Sequence, residues 1–407
     1  MKKALIFIFP AVLAMVGVMI PAGAPAQEAK PATVSLAVRV FDGARFVDDL
    51  KTGDFELVDD GVPQNIEALY LVKRNAVVRR EGEVDFAPDL SRRFHFLFQI
   101  FEYQPKLIET IKTLFREELL PGDTLEIQTP VRNYKLNAQA FAQKPKDVLA
   151  EEMTSIVKKD IVQGGQAYNS LLSDLKKLVR AVGGSSESLS TLEHDEVESL
   201  SDTGLSLLLQ HYRETIQKMD ALRRIDGGKI AGYARALKSQ PGQKFVFFIY
   251  QREYRPEIDP MALNSLVSNN QDNPQVLGDV NDLFQNFQKN LIIDIPRIRE
   301  FFSDSAANFN LLFINKAPEH ISRIIMREQS EDIFQAFARV AEASGGLVDT
   351  SQNPAQGVRN IMKSAENYYL LYYTPQPPTS INSFRPLKVR VKGGDYKIVH
   401  RIGYLVN

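Results

Sequence analysis

The run "FHFLFQIFEYQPKLIETIKTLF" over 94–115 sets an apolar stretch against a helical pattern, with Gln99, Phe101, Glu102 and Tyr103 in the turn between them. The turn between a buried strand and a helix is where open α/β sheets place their ligand groups. Glu102 could act as a general acid or base, Gln99 as an amide donor or acceptor, and the two rings as stacking surfaces. Other reactive residues are scattered. The five histidines (His95, His194, His211, His320, His400) include no pair at metal-ligand spacing, and His95 and His400 read as structural residues of strands. Asp195, Glu196 and Glu198 beside His194 read as a solvated acidic face rather than a metal site. The chain has no cysteine, which excludes a thiol nucleophile, a Cys–Zn site and a disulfide framework. No G-x-S-x-G, phosphate-loop or H-E-x-x-H pattern occurs, and Gly227-Gly228-Lys229 lacks the upstream glycine of a phosphate loop.

The elements that must position these residues follow from periodicity. Residues 34–71 alternate apolar and polar positions in short strands broken by Asp42-Gly43 and by "DDGVPQ", which predicts a small sheet with one polar face. The charged, aperiodic stretch 74–91 reads as a linker. From Arg92 the pattern changes to continuous apolar runs, 94–98, 245–250 ("FVFFIY"), 310–315 ("NLLFIN") and 368–373 ("YYLLYY"), separated by helical segments. Helical spacing falls at 145–159, 168–181, 205–224 and 333–343. Strands alternating with helices predict a doubly wound, mostly parallel α/β sheet covered on both faces. Insertions are expected near 183–230 and 261–290, the first rich in Ser, Glu and Gly and the second in Asn, Gln and Asp. At the C-terminus, Leu387, Val389 and Val391 alternate with Lys388, Arg390 and Lys392, and Gly393-Gly394 predicts a hairpin turn. This hairpin is expected to pack with the N-terminal strands in a small flanking β domain. The domains read as 27–73, 92–375 and 376–407.

With 49 basic against 50 acidic residues, the chain has no net field favouring nucleic acid. Lys2 and Lys3, the apolar 4–20 and the small-x-small Ala24-Pro25-Ala26 form a signal peptide over 1–26, so the chain is expected to be exported through the Sec pathway to the periplasm or beyond. No later window holds eighteen consecutive apolar residues, so the mature chain is not expected to span a membrane.

The opening "VSLAVRVFDGARFVDDLKTGDFELVDDGVPQNI" and the closing "YYLLYYTP…FRPLKVRVKGGDYKIVHRIGY" resemble bacterial exported proteins with a von Willebrand factor type A-like domain. The resemblance implies a von Willebrand type A (Rossmann-like) sheet with a divalent-metal site at its C-terminal edge. That site would use D-x-S-x-S after the first strand, a Thr from a second loop and an Asp after a later strand. In this chain those positions fall on Gln99, Phe101 and Tyr103, on Gln166 of Gly164-Gly165-Gln166, and on Tyr250-Gln251. Rings and amides do not satisfy the hard-oxygen octahedron of Mg²⁺, and Glu102 is the one displaced acid nearby. No cofactor is therefore expected. Two readings of the edge compete: filling by packing, and a metal-independent surface for a protein partner formed by Gln99, Phe101, Glu102, Tyr103, Gln166, Tyr250 and Gln251. The function expected is a non-enzymatic interaction or scaffold protein. The alternatives are a small-ligand or carbohydrate module on the same edge, and a hydrolase with His95 and Glu102 as its nearest candidate pair.

Overall fold

The computed structural model describes residues 33–183, 202–223, 226–287, 293–322, 324–377 and 383–406. The expected signal peptide and most of the Ser/Glu/Gly-rich stretch lie outside them.

The apolar runs form the centre of one six-stranded sheet. Its strands are β7 (Arg92–Gln99), β8 (Thr124–Gln128), β9 (Asn133–Leu136), β10 (Gln243–Gln251), β12 (Ala307–Ile314) and β14 (Val348–Asp349), in the order β14-β12-β10-β7-β8-β9. All pairs are parallel except β8–β9. The runs are apolar on both faces because each face is covered. Phe94, Phe96, Phe245, Phe247 and Ile249 pack under α1 (Lys106–Thr113), the first half of α3 (Lys146–Val182, after the short α2, Ala138–Gln143) and α10 (Pro354–Ala365). Val246, Phe248, Phe309, Leu311 and Phe313 pack under α5 (Gly227–Lys238), α8 (Ile295–Asp304) and α9 (Glu331–Ala343).

The rest of the chain corrects the expected class. Two antiparallel sheets form a sandwich. One joins β1 (Val34–Asp42), β2 (Arg45–Phe46), β5 (Ala68–Lys73), β6 (Ala76–Glu81), β15 (Asn367–Tyr373) and β17 (Lys397–Val399). The other joins β3 (Phe55–Asp59), β4 (Val62–Gln64), β16 (Phe384–Val391) and β18 (Gly403–Leu405). A fourth sheet, β11 (Tyr254–Ile258) with β13 (Ile324–Glu328), is also antiparallel. Among the described residues ten of the fourteen strand pairings are antiparallel, so the chain is not the doubly wound, mostly parallel von Willebrand type A or Rossmann-like fold expected.

The error has a physical source. "YYLLYY" is apolar on both faces because Tyr369, Leu371 and Tyr373 fill the sandwich core while Tyr368, Leu370 and Tyr372 face a cleft; β15 lies between β1 and β5 and runs antiparallel to both. An apolar run on two faces reports what covers the sheet; it does not encode strand direction. The predicted C-terminal hairpin also fails: β16 pairs with β3 and β18, while β17 crosses to β1. The stretch 74–91 contains β6, whose side chains are mostly exposed as edge strands require, which removes the alternation that would have revealed it.

A third core sits over the C-terminal edge of the parallel sheet. The second half of α3 packs there against α4 (Asp202–Arg223), α6 (Pro260–Asn269), α7 (Pro274–Phe287) and the β11–β13 ribbon. The Asn/Gln/Asp-rich insertion thus forms helices: Asp259 and Asn273 cap them, and Leu263, Val276, Val280 and Leu283 are buried. No described helix is long and apolar enough to cross a membrane.

Candidate functional site

Helix α3 decides the shape of the C-terminal edge. Gly164 and Gly165 do not interrupt it; it runs through them for 37 residues, about 55 Å at 1.5 Å per residue. The glycines are where it crosses the strand-end loops. A Cβ on Gly165 would stand 1.9 Å from the Phe101 carbonyl oxygen, and one on Gly164 would stand 2.5 Å from the Pro130 Cβ. One turn on, Asn169 donates from Nδ2 to the same Phe101 carbonyl at 3.1 Å.

This crossing places residues 165, 168, 169 and 172 on one helix face, against the loop after β7. The Phe101 ring stacks on Tyr168 with centroids 4.3 Å apart and planes 5° apart. Around that pair lies a shallow recess lined by Leu172, Met326, Asn169, Glu102, Lys316, Glu319 and the end of β10, Gln251 to Tyr254. Glu102 is ion-paired with Lys316. Gln251 is 4% exposed, and its Nε2 has no hydrogen-bond partner among the described residues.

The expected site residues therefore separate. Phe101, Glu102 and Gln251 meet in the recess. Tyr103 turns into the core beneath α3, its ring 5.5 Å from the Lys158 ammonium, and burial raises its phenol pKa. Tyr250 is fully buried on the opposite sheet face among Phe248 and Phe313, so it cannot meet a partner; burial, then Glu253, pushes its phenol far up. Gln99 lines a different cavity, with Gln128, Lys229 and Tyr233. Gln166 is exposed on α3, one residue off the face that meets the recess. Sequence reasoning missed Tyr168 and Asn169 because the glycine pair read as a loop; helical spacing carried through it would have found both.

Beneath the recess the chain buries charge. Arg223 donates to Glu253 at 2.6 Å and to Asp332 at 3.2 Å, and Glu257 accepts from Arg255 at 2.7 Å and from Arg327 at 2.6 Å. Burial raises the Glu253 carboxyl, opposed by the neighbouring Arg223 guanidinium. These acids are matched to arginines.

The hydrolase pair does not assemble. His95 faces Glu126 at 3.7 Å and the Tyr233 ring, while Glu102 pairs with Lys316. Burial lowers the His95 pKa, with Glu126 opposing. Among the described residues no group of three or more His, Cys, Asp or Glu is placed to hold a metal. At the recess a neutral amide and a carboxylate already paired with an ammonium do not fit a divalent cation. Millimolar Mg²⁺ or EDTA is accordingly expected to leave the thermal midpoint unchanged; a clear upward shift with Mg²⁺ would show a site that these donors do not explain.

No family model matches the chain, and no curated protein matches it. Among solved structures it is similar to the human COPII-coat protein Sec24c, at 7% identity and a TM-score of 0.27. The match covers 79% of this chain and 44% of that one, so this chain spans under half its length. A score of that size carries no argument.

Proposed function

We propose that the chain is an exported, non-enzymatic protein-interaction protein whose surface around the Phe101–Tyr168 stack contacts its partner, without metal. The observation that carries this reading is the size of the recess. It holds about 20 Å³, room for about one water, whereas small-molecule pockets usually enclose ~300–1,000 Å³. A small-ligand or carbohydrate module at this recess is disfavoured on that ground. An apolar floor of Phe101, Tyr168, Leu172 and Met326 within a polar rim of Glu102, Asn169, Lys316 and Glu319 matches the anatomy of a protein contact. Export rests on the leader in the sequence.

A photo-crosslinker at the exposed Asn169 is expected to capture a partner in the native envelope, and one at the exposed Lys392 is not. Phe101→Ala and Glu102→Arg should each reduce recovery about fivefold, near 1 kcal/mol, with circular dichroism unchanged. Mass spectrometry of the same material should show a chain beginning at Gln27. Recovery unaltered in both variants would reject the recess, and a retained Met1 would reject cleavage of the leader.

A further inference from the structure

At the opposite, N-terminal edge of the parallel sheet lies a cleft of about 340 Å³. Strand alternation builds it. Leu36, Val38, Tyr369, Leu371 and Tyr373 point into the sandwich core, so Ser35, Ala37 and Arg39 of β1 and Tyr368, Leu370 and Tyr372 of β15 line the cleft. Its remaining walls are the first residues of β10 and β12, Phe86 stacked on Tyr372 at 4.5 Å, and His400 and Arg401. Lys244 here and Gln251 at the recess stand at opposite ends of β10, about 23 Å apart at ~3.3 Å per residue.

The buried charges in this cleft are one-sided. Arg39 is 8% exposed and Lys244 6%. Arg39 donates to the Gly345 carbonyl, and Lys244 to the Gln240 carbonyl at 3.0 Å. Arg401 donates to the carbonyls of Ser35 at 3.2 Å, Ser303 at 3.3 Å and Asp304 at 3.4 Å. His400 Nδ1 sits 2.7 Å from the Arg401 carbonyl oxygen. Among the described residues no carboxylate lies within 4.0 Å of Arg39, Lys244 or Arg401, whereas the buried Arg223, Arg255 and Arg385 each have one. The nearby acids are engaged: Asp304 pairs with Lys238 at 2.9 Å, and Asp89, exposed at the margin, accepts from the Ser91 N–H at 2.8 Å. Buried cations are ordinarily paired or lose their proton. Burial, reinforced by Arg401 and Arg93, brings Lys244 down to about 8, and burial brings Arg39 down to about 10.

We propose that this cleft binds a small organic anion, its carboxylate or phosphate head held by Arg39 and Lys244 and its flat apolar body against Tyr368, Leu370 and the Phe86–Tyr372 stack. The cleft volume lies within the range of ligand pockets, and the ligand supplies the counter-charge that the protein omits.

The test is calorimetric titration of the mature chain with naphthoate, naphthyl phosphate and the neutral naphthylmethanol. Saturable binding of either anion, and none of the alcohol, is expected; which anion binds identifies the head group. Arg39→Met and Lys244→Met should each weaken it about tenfold or more. Lys244→Met should also keep or raise the thermal midpoint, because it removes an unpaired buried charge. Ala37→Trp, at an exposed position on the cleft wall, should block binding with both cations in place. Phe101→Ala should leave binding unchanged, which separates this site from the recess. Binding of neither anion, binding as strong to the alcohol, or binding that survives Ala37→Trp would overturn the proposal.

Discussion

Replacing Asp59 with alanine is expected to cost the folded chain about 3–5 kcal/mol, because it removes one partner of a buried ion pair. Asp59 is fully buried and accepts three hydrogen bonds: from Arg385 Nε at 2.9 Å, the Tyr373 hydroxyl at 3.0 Å and the Tyr404 hydroxyl at 2.7 Å. Those partners lie on β16, β15 and β18, so one carboxylate from the start of the chain ties together strands from its end. Without it Arg385, 6% exposed, keeps its donation to the Gln376 carbonyl at 2.8 Å but has no carboxylate among the described residues. The two hydroxyls also lose their acceptor, at ~1 kcal/mol each. Urea unfolding should show a lower midpoint. Asp59→Ala combined with Arg385→Met should recover part of the loss, since an unpaired buried cation is the larger share of it. A single-variant loss below about 1 kcal/mol would mean that water reaches the site and screens the pair.

The second large effect concerns Gly165. Alanine normally improves a helix interior over glycine by about 1 kcal/mol. At position 165 the added methyl would meet the Phe101 backbone oxygen at 1.9 Å, and neither backbone can yield by rotating a side chain. Overpacking of this kind costs ~1–3 kcal/mol, and displacement of the loop would also weaken the Asn169 hydrogen bond. The expected net result for Gly165→Ala is a loss of about 2 kcal/mol. Gly232 is the internal control: it lies within α5, and a Cβ there would meet nothing within 4 Å. Gly232→Ala should gain about 0.5–1 kcal/mol. Opposite signs for the two changes in denaturant unfolding are the expected outcome; a gain at both positions would show that α3 does not press on the strand-end loop.

These two sites bear on what the chain's own pattern reveals. Asp59 lies in "DDGVPQ", Tyr373 in "YYLLYY" and Tyr404 in "RIGY", all within the stretches that carry the resemblance to exported von Willebrand type A-like proteins. The stretches were visible; that three of their residues converge on one buried carboxylate was not, because 314 and 345 positions separate Asp59 from its tyrosines. The Gly164-Gly165 pair misled in the other direction. Glycine is poor in an isolated helix, so it read as a break, yet here close approach to two loops is what requires it.

Local chemistry along the chain determined the extents of the buried strands, the short strands at both ends, the lack of thiol chemistry and the rings and amides near Gln99. These depend on side-chain type and on periods of two or near four residues, which are written locally. Strand direction, the parting of β16 and β17 into different sheets, and the burial of Tyr250 away from Gln251 were decided by the tertiary structure alone. So were the placing of Arg39, Lys244 and Arg401 along one cleft with no carboxylate within 4.0 Å of them among the described residues, and the seating of Phe101 on Tyr168. Each joins segments tens to hundreds of residues apart, and the energy that selects them, burial of apolar area and pairing of buried charge, exists only once those segments meet.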